Sequence, residues 1–311
     1  MIETIAALLD AAVRISIPLW LAVLGEIVVE RSGVLNIGIE GMILAGALGG
    51  FAGALLFGAP EAGLVLGVAA ALALGWLFAA LVVRVRIDAI VTGVALNILA
   101  LGLTGVFFRQ LAGTPRATMI APTFASVRVP LLADVPVIGP AFFDRNLFAY
   151  LAYALAPAVA WFLYRSMPGL RLRACGENPD AAATAGTSVA RTRTVAVLFG
   201  ALMAGLAGTY LSIGYSNTFV ENMSAGRGFV ALAIVVFARW NPWLAAAGAL
   251  LFGGAMAFQV RYQGAGFFGV EVPYQFFQMF PYVLTLVVLA ASARGAAGAP
   301  AALGKPYRER A

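Results

Sequence analysis

The stretch Gly25-Glu26-Ile27-Val28-Val29-Glu30-Arg31-Ser32-Gly33-Val34-Leu35-Asn36-Ile37-Gly38-Ile39-Glu40-Gly41-Met42 sets three Glu, one Arg, one Asn and four Gly between two hydrophobic runs. Acids in such surroundings are costly, and they face a protein interior or an aqueous path. Glu40 lies a few residues into the second run. It either lines or gates a path, or it accepts hydrogen bonds from a broken helix or pairs with Arg31; we prefer the structural role. Glu26 and Glu30 are expected at an interface.

A second stretch, Gly176-Glu177-Asn178-Pro179-Asp180-Ala181-Ala182-Ala183-Thr184-Ala185-Gly186, is built differently. Asn178 suits a helix N-cap and Pro179 the first helical position. Asp180 complements the positive end of the helix dipole. The alanines favour helix, and Gly186 can end it or let another surface approach closely. A short, exposed, Ala-rich helix follows from this pattern, set in a basic loop over 166–192. Its small-residue face fits a groove on a partner; a capped loop helix with no partner is the other reading.

Other polar residues interrupt apolar runs. They are Thr92, Asn97 and Gln259, with Gln275 and Gln278 three apart on one helix face. Tyr274, Phe276, Phe277 and Phe280 stand beside the last two. Asn36, Glu40, Asn97, Gln275 and Gln278 can line a route for a neutral, ring-bearing solute, or they can bond and pack between helices; we favour bonding and packing. Gly226-Arg227-Gly228-Phe229 opens a short apolar segment in which the glycines read as packing positions. Trp240 and Trp243 suit a membrane interface.

Several chemistries are excluded. His is absent, so His-based metal sites and proton relays are ruled out, and the one Cys, Cys175, permits no intrachain disulfide. No GxxxxGK[ST] loop is present, so the chain does not hydrolyse nucleotide by that route. Neither a metal-ligand cluster nor a nucleophile with a His base is found. No catalytic residue, metal or cofactor is expected.

The elements that position these residues follow from composition. Of 311 residues, 62% are apolar and 11% charged, with 20 basic and 14 acidic side chains. Soluble domains carry about 25% charged residues, so a chain this poor in charge could not cover a soluble surface. A spanning helix uses about 20 apolar residues, which allows about eight to ten transmembrane helices here. The long continuous runs do not fit the short alternating strands of a β-barrel. We therefore expect an all-α polytopic membrane protein, a single domain over 1–311, with a broken or re-entrant segment near 30–41. Its apolar segments are 5–29, 36–57, 63–83, 87–108, 147–165, 193–215, 226–240, 243–260 and 273–292. Asp10, Arg14 and Pro18 divide the first, so part of it is expected at the interface. Glu3 and Asp10 stand where a signal peptide would carry Lys or Arg, so this segment is expected to be retained. The seventh is short for a full crossing.

The basic residues orient the bundle. If the 166–192 loop is cytoplasmic, Arg31, Arg84, Arg86, Arg165, Arg171, Arg173, Arg191, Arg193, Arg239, Arg294, Lys305, Arg308 and Arg310 all fall inside. The smaller set Arg109, Arg116, Arg128, Arg145, Arg227 and Arg261 falls outside. Their spread between apolar runs reflects membrane topology and implies no nucleic acid. Nine crossings put the tail, 293–311, in the cytoplasm and the N-terminus outside. The loop at 109–146 carries Pro115, Pro122, Pro130, Pro136 and Pro140, a spacing that prevents a long helix and predicts an extended external cap.

Taken together, the two opening stretches resemble those of permease subunits of ABC importers of the ribose and branched-chain amino-acid type, in the nucleoside or simple-sugar branch. Residues 25–42 resemble that family's signature. Asp180-Ala181-Ala182 with Gly186 resembles the EAA-x-x-x-G pattern by which importer permeases contact their ATPase, with Asp180 in place of Glu. Pro130-Leu131-Leu132, Pro136-Val137-Ile138-Gly139-Pro140, Gly226-Arg227-Gly228-Phe229 and Arg239-Trp240-Asn241-Pro242 also match, although Ala238 stands where Gly is expected. The resemblance runs from about residue 18 to 290.

It implies a transport subunit of a bacterial inner membrane that is not itself an enzyme. Its partners would be ABC ATPase subunits, a second homologous permease and an extracytoplasmic solute-binding protein. Glu177, Asn178, Pro179, Asp180, Ala181, Ala182 and Gly186 would transmit ATPase closure. The solute would be a nucleoside, with a ribose-like sugar as the alternative. Two rivals are an ion-coupled secondary transporter with a discontinuous helix near Gly33–Gly41 and a membrane enzyme. The first would need more intramembrane acids than Glu40, and the second lacks catalytic groups.

Overall fold

The computed structural model describes residues 2–112, 119–263 and 298–307, with short stretches between 266 and 290. Helix α1 (Ile2–Arg31) leads through a break to α2 (Ile39–Phe57), and α3 (Pro60–Ala79) continues into a π-helical turn, Ala80–Val85. After α4 (Ala89–Ala112) comes a loop with a two-stranded antiparallel ribbon, β1 (Val127–Arg128) and β2 (Asp144–Arg145), and the short α5 (Ile138–Phe143) between its strands. Helix α6 (Leu147–Arg165) is followed by α7 (Met167–Glu177) and α8 (Pro179–Thr184). The chain then enters α9 (Val189–Thr209), extended by a second π-helical turn, Tyr210–Tyr215, and continues through α10 (Arg227–Phe237) and α11 (Pro242–Tyr262).

Among the described residues, seven helices are long and apolar enough to cross a membrane: α1, α2, α3, α4, α6, α9 and α11, with α3 and α9 counted with their extensions. This is the all-α polytopic fold expected. The short seventh segment does not form a spanning helix. At about 1.5 Å per residue, α10 reaches about 16 Å, half of a hydrocarbon core of about 30 Å. Most of the 273–292 segment lies outside the described residues.

Small residues set the helix directions, because they let backbones touch. Gly53 meets Gly63 and Gly49 meets Gly67, so α2 and α3 run antiparallel. Gly46 meets Gly205 and Gly50 meets Thr209, so α2 and α9 run parallel. A Cβ on Gly208 would overlap the Ile43 carbonyl, so only glycine permits this approach. Gly25 lies against Met203 and Gly200 against Val29, which makes α1 and α9 antiparallel.

One end of the bundle thus gathers Arg31, the break, Arg86, α7, α8, the start of α9, Trp240 and residues 298–307. The start of α1 and the 119–146 loop lie at the other, joined by the Arg145–Asp10 ion pair at 2.5 Å. The larger basic set, as far as it is described, shares the first end. Arg227 departs from the expectation. It sits at the start of α10 inside the bundle, where its guanidinium turns back onto the carbonyls of Met223 (2.9 Å) and Ser224 (3.1 Å).

The core is centred on α1 and α9, the two most deeply buried spans. The first segment is not divided: α1 is one continuous helix, buried on all sides from Ile15 to Glu30, while most of its residues before Ile15 are exposed or half-buried. Asp10 is neutralised by Arg14 at 2.9 Å and by Arg145. Pro18 lacks an N–H, which leaves the Arg14 carbonyl without its helical partner. The Tyr210 hydroxyl donates to that carbonyl at 3.0 Å. A long-range hydrogen bond thereby compensates for the local defect.

Candidate functional site: the broken helix and the projecting loop

Residues 32–38 separate α1 from α2 inside the bundle. Unwound backbone is tolerated at membrane depth only where protein or water satisfies its polar groups. Here side chains do so. Glu26, fully buried, accepts from the Asn36 amide and from Asn36 Nδ2, both at 3.2 Å. Asn97 reaches in from α4: its Oδ1 accepts from the Gly41 amide at 2.8 Å and its Nδ2 donates to the Ile37 carbonyl at 2.9 Å. Gly93, one turn earlier, lets the backbones meet, since a Cβ there would come within 2.7 Å of the Gly38 nitrogen. Gly33 takes φ +93° at the turn that ends α1, a conformation glycine adopts without strain.

Glu40 closes the arrangement from the other side. Its Oε1 accepts from the Gly226 amide at 2.7 Å and its Oε2 from the Gly228 amide at 2.6 Å. A carboxylate therefore caps the N-terminus of α10, where the helix dipole favours negative charge. Gly228 is required for the contact, because a Cβ would lie 2.7 Å from the Glu40 backbone. Glu40 thus accepts from the end of a half-length helix and does not pair with Arg31, whose guanidinium donates to the Gly298 carbonyl at 3.3 Å and the Arg239 carbonyl at 3.4 Å.

Two expectations need correction. Glu26 and Glu30 are not interfacial but buried, and Glu30 accepts from Trp240 Nε1 at 2.5 Å. Trp240 is likewise buried, against α1. The cause is tertiary: α10 and the 238–241 turn cover the end of α1, which no local pattern announces.

Asn36, Glu40 and Asn97 are brought together around the break, Glu40 and Asn97 committed to backbone groups and Asn36 to the Glu26 carboxylate. Gln275 is helical and exposed. Gln278 lies outside the described residues. Replacing Asn97 with Ala would strand one buried N–H and one C=O, at about 1–3 kcal/mol each. We expect Asn97→Ala to lower stability by about 2–4 kcal/mol, read as a fall in the thermal unfolding midpoint in detergent. An unchanged midpoint would contradict the bridging role.

At the end where α1 stops, the 166–192 loop projects as two helices. The first, α7, carries no signal as distinct as that of α8; its N-cap Ser166 accepts from the Gly169 amide at 3.1 Å. Asn178 caps α8 as expected, with Oδ1 accepting from the Ala181 amide at 3.0 Å. Gly186 ends α8 at φ +80°, where the Gly186 and Thr187 amides donate to the carbonyls of Ala183 (2.9 Å) and Ala182 (3.0 Å). Glu177, Asn178, Asp180, Ala181 and Gly186 are exposed, and Pro179 is half-buried. A Cβ on Gly186 would meet nothing within 4 Å among the described residues. Ala182 is the exception: it is buried with Cys175 and Val189, and this small cluster seats α8.

Burial pushes the Cys175 thiol up, against the opposing pull of Thr192 and Arg193. Because the thiolate is the reactive form, a maleimide should leave the native protein unlabelled at neutral pH and label it after denaturation. Rapid native labelling would show that α8 does not sit as described.

Comparison with known proteins agrees with this architecture. Residues 8–289 match the family model described as branched-chain amino acid transport system / permease component. The guanosine ABC transporter permease protein NupQ of Bacillus subtilis is 35% identical, over 98% of this chain and 98% of the relative. The nucleoside ABC transporter permease protein NupC of Lactococcus lactis is 36% identical, over 94% and 93%. TsgC13 of Haloferax volcanii, provisionally named a glucose ABC transporter permease protein, is 38% identical, over 91% of each chain. With these matches, the resemblance read from residues 25–42 and 176–186 is borne out. The chain is a transport component, and it belongs to the branched-chain amino acid transport system permease family.

Proposed function

We propose that this chain is one permease subunit of an ATP-driven importer that takes up nucleosides delivered by an extracytoplasmic binding protein. A second homologous permease completes the path, and separate ATPase subunits supply the energy from the cytoplasm. The end bearing α7 and α8 faces the cytoplasm in this reading, with residues 298–307 on the same side. The observation that carries it is α8 itself: a capped helix with an exposed small-residue face, ended by an open Gly186, at the end richest in basic residues. Glu177, Asn178, Pro179, Asp180, Ala181 and Gly186 form the contact with the ATPase, and the buried Ala182 holds α8 in place beneath it.

The near full-length likeness to guanosine and nucleoside permeases supports the solute class. Likeness to the Haloferax protein favours a sugar as the second reading. Asn36, Glu40 and Asn97 shape the wall of the path by fixing broken backbone, and Gln275 is free to face solute. Cells carrying the complete transporter should accumulate labelled guanosine, and excess ribose or glucose should not compete. Competition by the sugar with none by a second nucleoside would shift the assignment to sugar uptake.

A further inference from the structure

Residues 298–307 form a strap across the elements that the mechanism must connect. Their backbone is tied at both margins. The Ala302 amide donates to the Gly176 carbonyl at 2.9 Å, and the Gly304 amide to the Gly33 carbonyl at 3.1 Å. The Ala301 amide donates to Glu177 Oε2 at 3.2 Å. Arg31 donates to the Gly298 carbonyl at 3.3 Å. Tyr307 packs on the cluster of Cys175, Ala182 and Val189 that seats α8.

The junction beneath the strap is built for contact. Gly176 lies so close to the Arg31 carbonyl that a Cβ would overlap it, and a Cβ on Gly33 would come within 2.7 Å of Arg193 Nη2 and 3.2 Å of the Gly176 Cα. Arg193 is buried at the start of α9 and joins the two sides: its Nε donates to the Ser32 carbonyl at 3.2 Å and its Nη1 to the Lys305 carbonyl at 3.0 Å. A guanidinium spanning two carbonyls holds the break to the strap in a fixed geometry. Beside the junction lies a cavity of about 250 Å³, lined by residues that include Leu35, Arg86, Arg193 and Tyr307. The break and the strap both line this space, Val34 and Leu35 from one and Gly304 and Tyr307 from the other.

We propose that residues 298–307, clamped by Arg193, bind α7 and α8 to the α1–α2 break as one body, so that ATPase movement at α8 is delivered to the broken helix that Glu26, Asn97 and Glu40 hold. Arg193 and Tyr307 are positioning residues in this device. Motion passes between sites through rigid elements with discrete arrangements, and the strap supplies the rigid link. The proposal rests on the reading that α8 contacts the ATPase.

The test uses the reconstituted transporter with its ATPase and binding protein, comparing the native chain with Tyr307→Ala, Arg193→Met and a chain stopped after residue 297. Solute-stimulated ATP hydrolysis should persist while solute moved per ATP falls about tenfold, the size of a typical coupling free energy. Maleimide labelling of Cys175, the single cysteine, should accelerate in Tyr307→Ala and in the shortened chain. If the shortened chain fails to fold, the two point variants decide. Unchanged solute per ATP would overturn the strap, as would loss of hydrolysis and uptake in equal proportion. An ATPase that never associates with the native chain would refute the docking reading; Cys175 labelling still tests the strap without the partner.

Discussion

Glu40→Ala should destabilise the protein more than any other single replacement around the break. The variant loses two charge-assisted hydrogen bonds and leaves the half-buried Gly226 amide and the buried Gly228 amide without an acceptor. Hydrogen bonds to charged groups are worth about 1.5–3 kcal/mol each, so a loss of about 3–5 kcal/mol is expected. Domains are stable by about 5–15 kcal/mol, so this is a large share of the total. The measurement is the detergent-solubilised unfolding midpoint together with the yield of monodisperse protein. Glu40→Gln should recover only part of the loss, because its carboxamide offers one acceptor oxygen where two N–H groups converge. A Glu40→Ala protein as stable as the native one, with uptake alone abolished, would instead assign Glu40 to solute.

The second large effect falls on transport and leaves the fold intact. Gly186→Glu should reduce uptake about a hundredfold or more, corresponding to about 3 kcal/mol of lost interaction. A Cβ at 186 meets no heavy atom within 4 Å among the described residues, so the local cost is the left-handed φ of +80°. That strain is about 1 kcal/mol for a non-glycine residue, too little to unfold the protein. Bulk and negative charge on the exposed end of α8 then act on the partner. Gly186→Asn, which tolerates this backbone conformation, should keep most of the uptake. Immunoblots of membrane fractions should show equal amounts of all three proteins. Normal uptake by Gly186→Glu would remove α8 from the docking surface.

What was legible in the sequence was local. Gly33, Asn36 and Gly38 between two apolar runs announce a broken helix, and the break is found at 32–38. Asn178-Pro179-Asp180 announces a capped helix start because each residue acts within one turn. The π-helical ends of α3 and α9 and the separate α7 had no such signal. Glu26 and Glu30 were misplaced because their partners are set by tertiary structure. Trp240 is 210 positions from Glu30 and meets it from the turn that follows α10. The strap was invisible for another reason: most of its contacts use backbone amides and carbonyls, which every residue carries. The pattern Gly226-Arg227-Gly228 marks both glycines as packing residues, and Gly228 is one. That their amides also meet Glu40 follows from a contact 186 and 188 positions away along the chain.

The central claim is that this permease is driven by an ATPase seated at α8 and carries nucleosides. Its most direct test is ATP hydrolysis by the reconstituted assembly as the binding protein is loaded in turn with a purine nucleoside, a pyrimidine nucleoside and ribose. The account predicts stimulation by at least one nucleoside, none by ribose, and no stimulation in Gly186→Glu. Stimulation by ribose alone, or hydrolysis in Gly186→Glu equal to that of the native chain, would contradict it.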